Sequence, residues 1–127
     1  MLLIKNGKVL TMGPQGVLEQ ADVLIGDDGK IIEVAENLEA SGAEILDASG
    51  KIVMPGLVDA HSHIGGFDTD TGAQDLNELT KPQTPEIQAY DGINPLDRSF
   101  MESAKAGITT SAITPGSGNV ICGLACA

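Results

Sequence analysis

Tryptophan is absent from this 127-residue chain, which holds one tyrosine and two phenylalanines. Any core must therefore be aliphatic, and Val, Ile and Leu fill that role well on the pleated faces of strands. Cations are also scarce: seven Lys and Arg stand against 18 Asp and Glu, a formal charge of −11. Nucleic acids and anionic membranes are recognised through basic faces, so neither is expected as a partner. No apolar run approaches the ~20 residues that span a bilayer, and Met1-Leu2-Leu3-Ile4-Lys5 is too short for a secretory apolar segment. A cytoplasmic protein is expected. The two cysteines, Cys122 and Cys126, have a spacing that fits neither a zinc ribbon nor a thioredoxin motif, so free, reduced thiols are expected.

What is present reads first as strands. Leu2-Leu3-Ile4 and Val9-Leu10 flank Asn6-Gly7. Residues 21–25 run into Asp27-Asp28-Gly29, with residues 30–34 beyond. Ile45-Leu46 precedes Ser49-Gly50 and residues 51–54. Asn-Gly and Asp-Gly between β-branched runs are strong hairpin signals. Short strands at near-regular spacing predict a small antiparallel β-sandwich over residues 1–54.

At Pro55-Gly56 the pattern changes, and a second region is expected over residues 55–127. Residues 57–64 read as a strand ending in polar side chains. A long irregular stretch follows to about residue 93, long enough to suggest a lid or binding loop. A helix is expected next, with Asn94 as N-cap, Pro95 at the first helical position and Asp97 favoured by the helix dipole. Leu96, Phe100, Met101 and Ala104 would form its apolar face, Lys105 its last turn and Gly107 its left-handed stop. Residues 108–114 read as a buried strand halted by Pro115-Gly116. Strand, loop, helix, strand is a βαβ unit, which implies a parallel sheet.

Chemistry concentrates at the only two histidines, His61 and His63. Residues i and i+2 of a strand point to one face, so the two imidazoles project side by side and Asp59 shares their side. Two neutral imidazoles can chelate one divalent transition metal. On spacing alone, a pair of hydrogen-bonded core histidines stays open as the alternative.

Met54-Pro55-Gly56-Leu57-Val58-Asp59-Ala60-His61-Ser62-His63 closely resembles the signature that opens the barrel of the metal-dependent amidohydrolase superfamily. Upstream, Ile4-Lys5-Asn6-Gly7-Lys8-Val9, Asp22-Val23-Leu24-Ile25 and Gly29-Lys30-Ile31 resemble that family's N-terminal β-domain. Downstream, Tyr90-Asp91-Gly92-Ile93-Asn94-Pro95, Ala106-Gly107-Ile108-Thr109-Thr110 and residues 115–121 resemble its imidazolonepropionase-like branch. The resemblance implies an α/β fold in which the β-domain leads into the first βαβ unit of an incomplete (β/α)8 TIM-like barrel. It also implies a divalent metal, zinc above others, held in part by His61 and His63. A metal-bound hydroxide would attack the carbonyl or amidine carbon of a small-molecule amide or amidine substrate, whose C–N bond then breaks. In such barrels the site lies at the C-terminal ends of the strands, where these histidines fall. The family's general base and remaining ligands come from later strands, so no catalytic base is expected within this chain. The tail from Cys122 to Ala127 departs from the family pattern. The chain reads as the N-terminal portion of such an enzyme and is expected to lack significant hydrolase activity by itself.

Weaker signals resolve more plainly. Asp68-Thr69-Asp70-Thr71-Gly72 fails as a calcium loop, because Ala73 and Leu79 stand where glycine and glutamate are required. Gly116-Ser117-Gly118 lacks the third glycine of a dinucleotide fingerprint. Asn77-Glu78 matches a recurrent pair of the imidazolonepropionase-like branch in a loop expected over the barrel mouth. Glu78 is thus a substrate-contact candidate, with a surface loop as the default. Two other functions compete with the hydrolase lineage. One is a non-catalytic module that completes its fold with a partner chain or by self-association, since lone parallel strands leave edges open. The other is a simple metal-binding protein.

Overall fold

A computed structural model describes all 127 residues, Met1–Ala127, and divides them into two compact units, Met1–Pro55 and Gly56–Ala127. The first unit is one five-stranded sheet built around β1 (Leu2–Leu10). On one side β1 pairs antiparallel with β2 (Val17–Ile25), which pairs antiparallel with β3 (Ile31–Ala35). The Asp27-Asp28-Gly29 hairpin forms as expected: Gly29 takes φ 78° and Gly26 N–H donates to Lys30 O at 2.8 Å. On its other side β1 runs parallel to β4 (Glu44–Asp47) and then to β5 (Ile52–Val53).

Two details differ from the sequence-based expectation. The sheet is mixed rather than purely antiparallel. The turn at Ser49-Gly50 sidesteps along the same edge of β1, from Lys5 to Lys8, instead of reversing the chain. Asn6-Gly7 is likewise not a hairpin. Asn6 adopts φ 64°, the register shifts on both sides of Gly7, and β1 continues through the irregularity as one strand. An Asn-Gly pair supplies left-handed backbone equally well to a bulge and to a turn.

That bulge takes Asn6 out of the ladder, and a buried carboxylate compensates. Asp22, 3% exposed on β2, accepts the Asn6 N–H at 2.8 Å and the Leu38 N–H at 2.9 Å, with Lys5 Nζ 3.8 Å away. Around it the core is aliphatic as expected. Val9, Ala21 and Val23 are buried, with Ile4, Leu18, Ile25, Val34 and Val53 packed against them.

The second unit holds β6 (Leu57–Ser62), a long connection, α1 (Arg98–Lys105) and β7 (Ile108–Ile113), with β6 and β7 parallel. This is the expected βαβ unit. Gly56 permits its close start, because a Cβ there would collide with the Thr109 side chain. Residues 65–93 contain only a 3-10 turn at Ala89–Gly92, yet their backbone is bonded: Asp68 N–H to Ala73 O, Asp75 N–H to Gly66 O and Asn94 N–H to Gly65 O. The tail is bonded too, with Cys126 and Ile113 exchanging main-chain bonds of 2.7 and 2.9 Å. No helix is long and apolar enough to cross a membrane.

The helix starts later than the sequence suggests. Its N-cap is Asp97, whose side chain accepts the Ser99 N–H. Asn94 instead opens a turn containing Pro95, with Asp97 N–H donating to Asn94 O at 3.1 Å. Leu96 therefore precedes the helix and is 89% exposed, and no residue of α1 is buried. Gly107 does close the helix, at φ 92°. β7, expected to be buried, is buried only at Ile113, and Val58 on β6 is 69% exposed.

Asp97 is itself buried and ties the loop to the helix: it accepts from Ser99 N–H at 2.7 Å, Thr69 N–H at 3.0 Å and the Thr69 hydroxyl at 3.2 Å. Ser99 and then Thr69 hold this carboxyl down to about 2, against an ordinary 3.8.

Two outcomes follow from these carboxylates. Asp22→Ala leaves two main-chain N–H groups without their acceptor, and should cost roughly 2–4 kcal/mol in urea unfolding followed by circular dichroism; an unchanged midpoint would remove Asp22 from this role. For Asp97 the folded value is depressed, so its contribution is fully present above about 3.8 and is lost as pH falls through about 2. The Thr69 and Ser99 amide resonances should titrate together at that lower value, and Asp97→Asn should abolish the titration.

Candidate metal centre

Side chains alternate at the C-terminal end of β6 and one residue past it. Ser62 is buried, its oxygen accepting from Thr114 N–H at 2.9 Å and its hydroxyl accepting from Ile64 N–H at 3.1 Å. His61 and His63 turn to the other side, where their ring centroids stand 5.3 Å apart at 89°. His61 is exposed and His63 half-buried. Asp59 is close by but occupied with the backbone, accepting the His61 N–H at 3.1 Å. His63 Nδ1 lies 2.8 Å from the main-chain oxygen of Thr114.

The separation can be tested against metal geometry. A zinc ion about 2.0–2.1 Å from one nitrogen of each ring, at a tetrahedral angle, sets the two centroids about 5 Å apart. The observed 5.3 Å is compatible with that separation and equally with an ordinary edge-to-face contact of two rings. The donor set is nonetheless short. No group of three or more His, Cys, Asp or Glu residues gathers anywhere in the structure, whereas a catalytic zinc takes about three protein ligands and a structural one about four. The two histidines stand side by side without a third such residue beside them.

Glu78 is half-buried and its carboxylate is already engaged. It accepts the Thr80 N–H at 2.7 Å, and Thr80, through side chain and backbone, holds it below the usual carboxylate range. It lines a cleft of about 230 Å³ together with Asp75, Glu86, Asp91 and Thr114, but neither histidine reaches that lining. The structure therefore does not bring Glu78 together with the histidine pair. Its neighbour Asn77 has a packing role: its amide lies so close to Gly116 that a Cβ there would collide with it, and Gly116 N–H donates to Leu76 O at 2.7 Å. Gly116-Ser117-Gly118 is thus a close approach between two loops. The acidic loop behaves as solvated chain, with Asp68 accepting Asp70 and Thr71 N–H groups and Arg98 pairing with Asp70 at 3.1 Å. Cys122 and Cys126 are free thiols, as expected.

The residue that sequence reading passes over is Thr114. Its signal was available: in a parallel pair, the residue after the end of one strand lies beside the residue after the end of the other. Here that places Thr114 beside His63.

Comparison with known proteins gives the pair its context. No family model matches the sequence. A 5′-deoxyadenosine deaminase of Methanococcoides burtonii is 38% identical over 112 residues, 84% of this chain and 26% of the relative. A dihydroorotase of Streptococcus thermophilus is 51% identical over 63 residues, 50% of this chain and 14% of the relative. Among solved structures, an amidohydrolase from Thermotoga maritima superposes with a TM-score of 0.89 at 41% identity, over 98% of this chain and 32% of that one. The chain spans about a quarter of the length of the deaminase it matches. Agreement in sequence and structure over nearly all its residues shows that the chain belongs to the amidohydrolase superfamily, matching the N-terminal portion of these enzymes.

Proposed function

We propose that His61 and His63 supply two ligands of a divalent metal centre, with zinc the metal best suited to paired imidazoles. The reaction it serves is hydrolysis of a C–N bond in a small-molecule amide or amidine. The observation that carries this reading is the 5.3 Å ring pair at the C-terminal end of β6, in a chain that superposes on the Thermotoga amidohydrolase. The bound metal would supply a hydroxide near neutral pH and polarise the scissile group. The chain's own contribution is narrower. β6 presents two imidazoles on one side, and the β6–β7 pairing holds them at the end of the first strand of a (β/α)8 barrel. Motifs at Asn77-Glu78 and Tyr90 to Pro95 favour the imidazolonepropionase-like branch. The free thiols fit a reducing compartment, hence the cytoplasm.

No group of three His, Cys, Asp or Glu residues gathers at the pair. Catalysis by these residues alone would lack the three-ligand site, and the general base is read as coming from outside residues 1–127. A second reading has its own support: Leu57 is 49% and Val58 69% exposed on β6, and the β6–β7 sheet has only two strands, the outer edge of β7 being paired only at Ile113, with Cys126. Such a surface suits completion of the fold by a partner chain or by a second copy.

Two measurements test these readings. Zinc titration of the 127-residue chain should show binding that His61→Ala weakens by at least the ~10-fold typical of losing even an outer partner, while neither protein turns over a panel of small amides and amidines above background. Equal zinc affinity in the variant would refute the metal reading, and turnover well above that of His61→Ala would refute the narrower role. Light scattering at micromolar concentration should return a mass above the 13.0 kDa of a single chain; a monodisperse monomer would count against association.

A further inference from the structure

The contact between His63 and Thr114 carries more than position. A carbonyl oxygen offers lone pairs and no hydrogen, so a neutral imidazole bonds to it only with the proton on the facing nitrogen. That nitrogen is Nδ1, 2.8 Å from Thr114 O. The Thr114 hydroxyl is the competitor, since it could donate to an unprotonated Nδ1, but it stands farther off at 3.4 Å. At those distances the carbonyl decides the tautomer. Nε2 then keeps its lone pair, the form in which imidazole binds a transition metal.

The carbonyl is itself held in direction. Thr114 N–H donates to Ser62 O at 2.9 Å, which continues the β6–β7 ladder one residue beyond Ile113. Pro115 follows, and its ring confines the preceding residue to extended backbone, limiting where the Thr114 carbonyl can point. Gly116 N–H then anchors the far side on Leu76 O at 2.7 Å. His61 has no comparable ring partner; only its main-chain N–H is engaged, by Asp59.

We propose that the Thr114 main-chain carbonyl, directed by Pro115, locks His63 in its Nδ1–H tautomer and so leaves Nε2 as the ligand nitrogen. Thr114 is a positioning residue: the second strand sets the metal-binding competence of a histidine on the first. The inference rests on reading His61 and His63 as metal ligands, but its central observable exists without metal.

Long-range ¹H–¹⁵N correlation spectra of the metal-free 127-residue chain, at about pH 8 where ordinary imidazole is neutral, report the tautomer of each histidine directly. His63 should show a single form with Nδ1 protonated and Nε2 bare, and His61 the averaged pattern of an unrestrained ring. A His63 with its proton on Nε2 overturns the proposal. Pro115→Ala keeps the carbonyl but releases its direction. It should turn His63 into a tautomer mixture and weaken zinc binding by up to about 10-fold, with the β6–β7 amide resonances in place as the check on folding. An unchanged His63 pattern in that variant overturns the role of Pro115. Adding zinc separates the two readings. A locked His63 whose Nε2 ignores zinc refutes the metal centre and leaves the tautomer assignment standing, whereas a large Nε2 shift supports both.

Discussion

The parallel pairing of β6 with β7 is the constraint on which the rest of residues 56–127 depends. It begins where Leu57 N–H meets Gly107 O at 2.8 Å and ends where Thr114 N–H meets Ser62 O. Two parallel strands need a crossover of a dozen or more residues. This chain uses residues 63–107 for the purpose, far more than α1 requires, and the surplus becomes the long loop with its acidic cleft. Because the strands run the same way, their C-terminal ends lie together. His63 at one end and Thr114 at the other are therefore neighbours although 51 positions separate them. An antiparallel pairing would have set His63 beside the start of the second strand, away from Thr114.

Irregular backbone in this chain is supported by carboxylates. The bulge at Asn6 takes an N–H out of the sheet, and Asp22 accepts it together with the Leu38 N–H. The loop after β6 departs from regular pairing at Thr69, and Asp97 accepts that N–H while capping α1. Asp68, Asp47 and Glu78 do the same at exposed turns. An excess of 18 acidic over seven basic residues is thus partly a structural inventory. A carboxylate accepts several N–H donors at once and needs no donor of its own, which suits a chain with many turns and few helices. Charge that reads from composition alone as a solvated surface includes groups such as Asp22, which is 3% exposed and has nothing to do with solubility.

Much of this was legible in the sequence, and the misses share a cause. The histidine pair, the Asp-Gly hairpin, the Gly107 stop, the free thiols and the βαβ order are local signals, each decided within a few residues. The misread features depend on what lies across the sheet. Asn6-Gly7 has the chemistry of a turn, but continuous pairing with β2 makes it a bulge. Ser49-Gly50 has the same chemistry, but β1 accepts both β4 and β5 along one edge, so the chain sidesteps. Asn94 and Asp97 are both competent caps, and the choice falls to Asp97 because Thr69 from a distant loop completes its hydrogen bonds. Burial of β7 was overestimated because apolar residues on a strand read as core whether or not an element covers them.

The histidine pair shows how far a local signal reaches. Alternation at the end of β6 turns the two rings to one side, where they stand 5.3 Å apart. Alternation cannot say which nitrogen of a ring faces outward, and ligand strength turns on that choice. For His63 the answer comes from a main-chain oxygen on another strand, a group that every residue type carries and that no residue-based motif can mark. For His61 no such partner exists, so its ring is free to choose. The two histidines look equivalent in the sequence, spaced two apart on one strand, yet they differ in preparation: one is held in a defined tautomer and the other is not. Ordering the free ring would add to the cost of binding a metal. A site assembled from several strands gains from this asymmetry, because a first ligand fixed in advance gives the later ones a defined point around which to close.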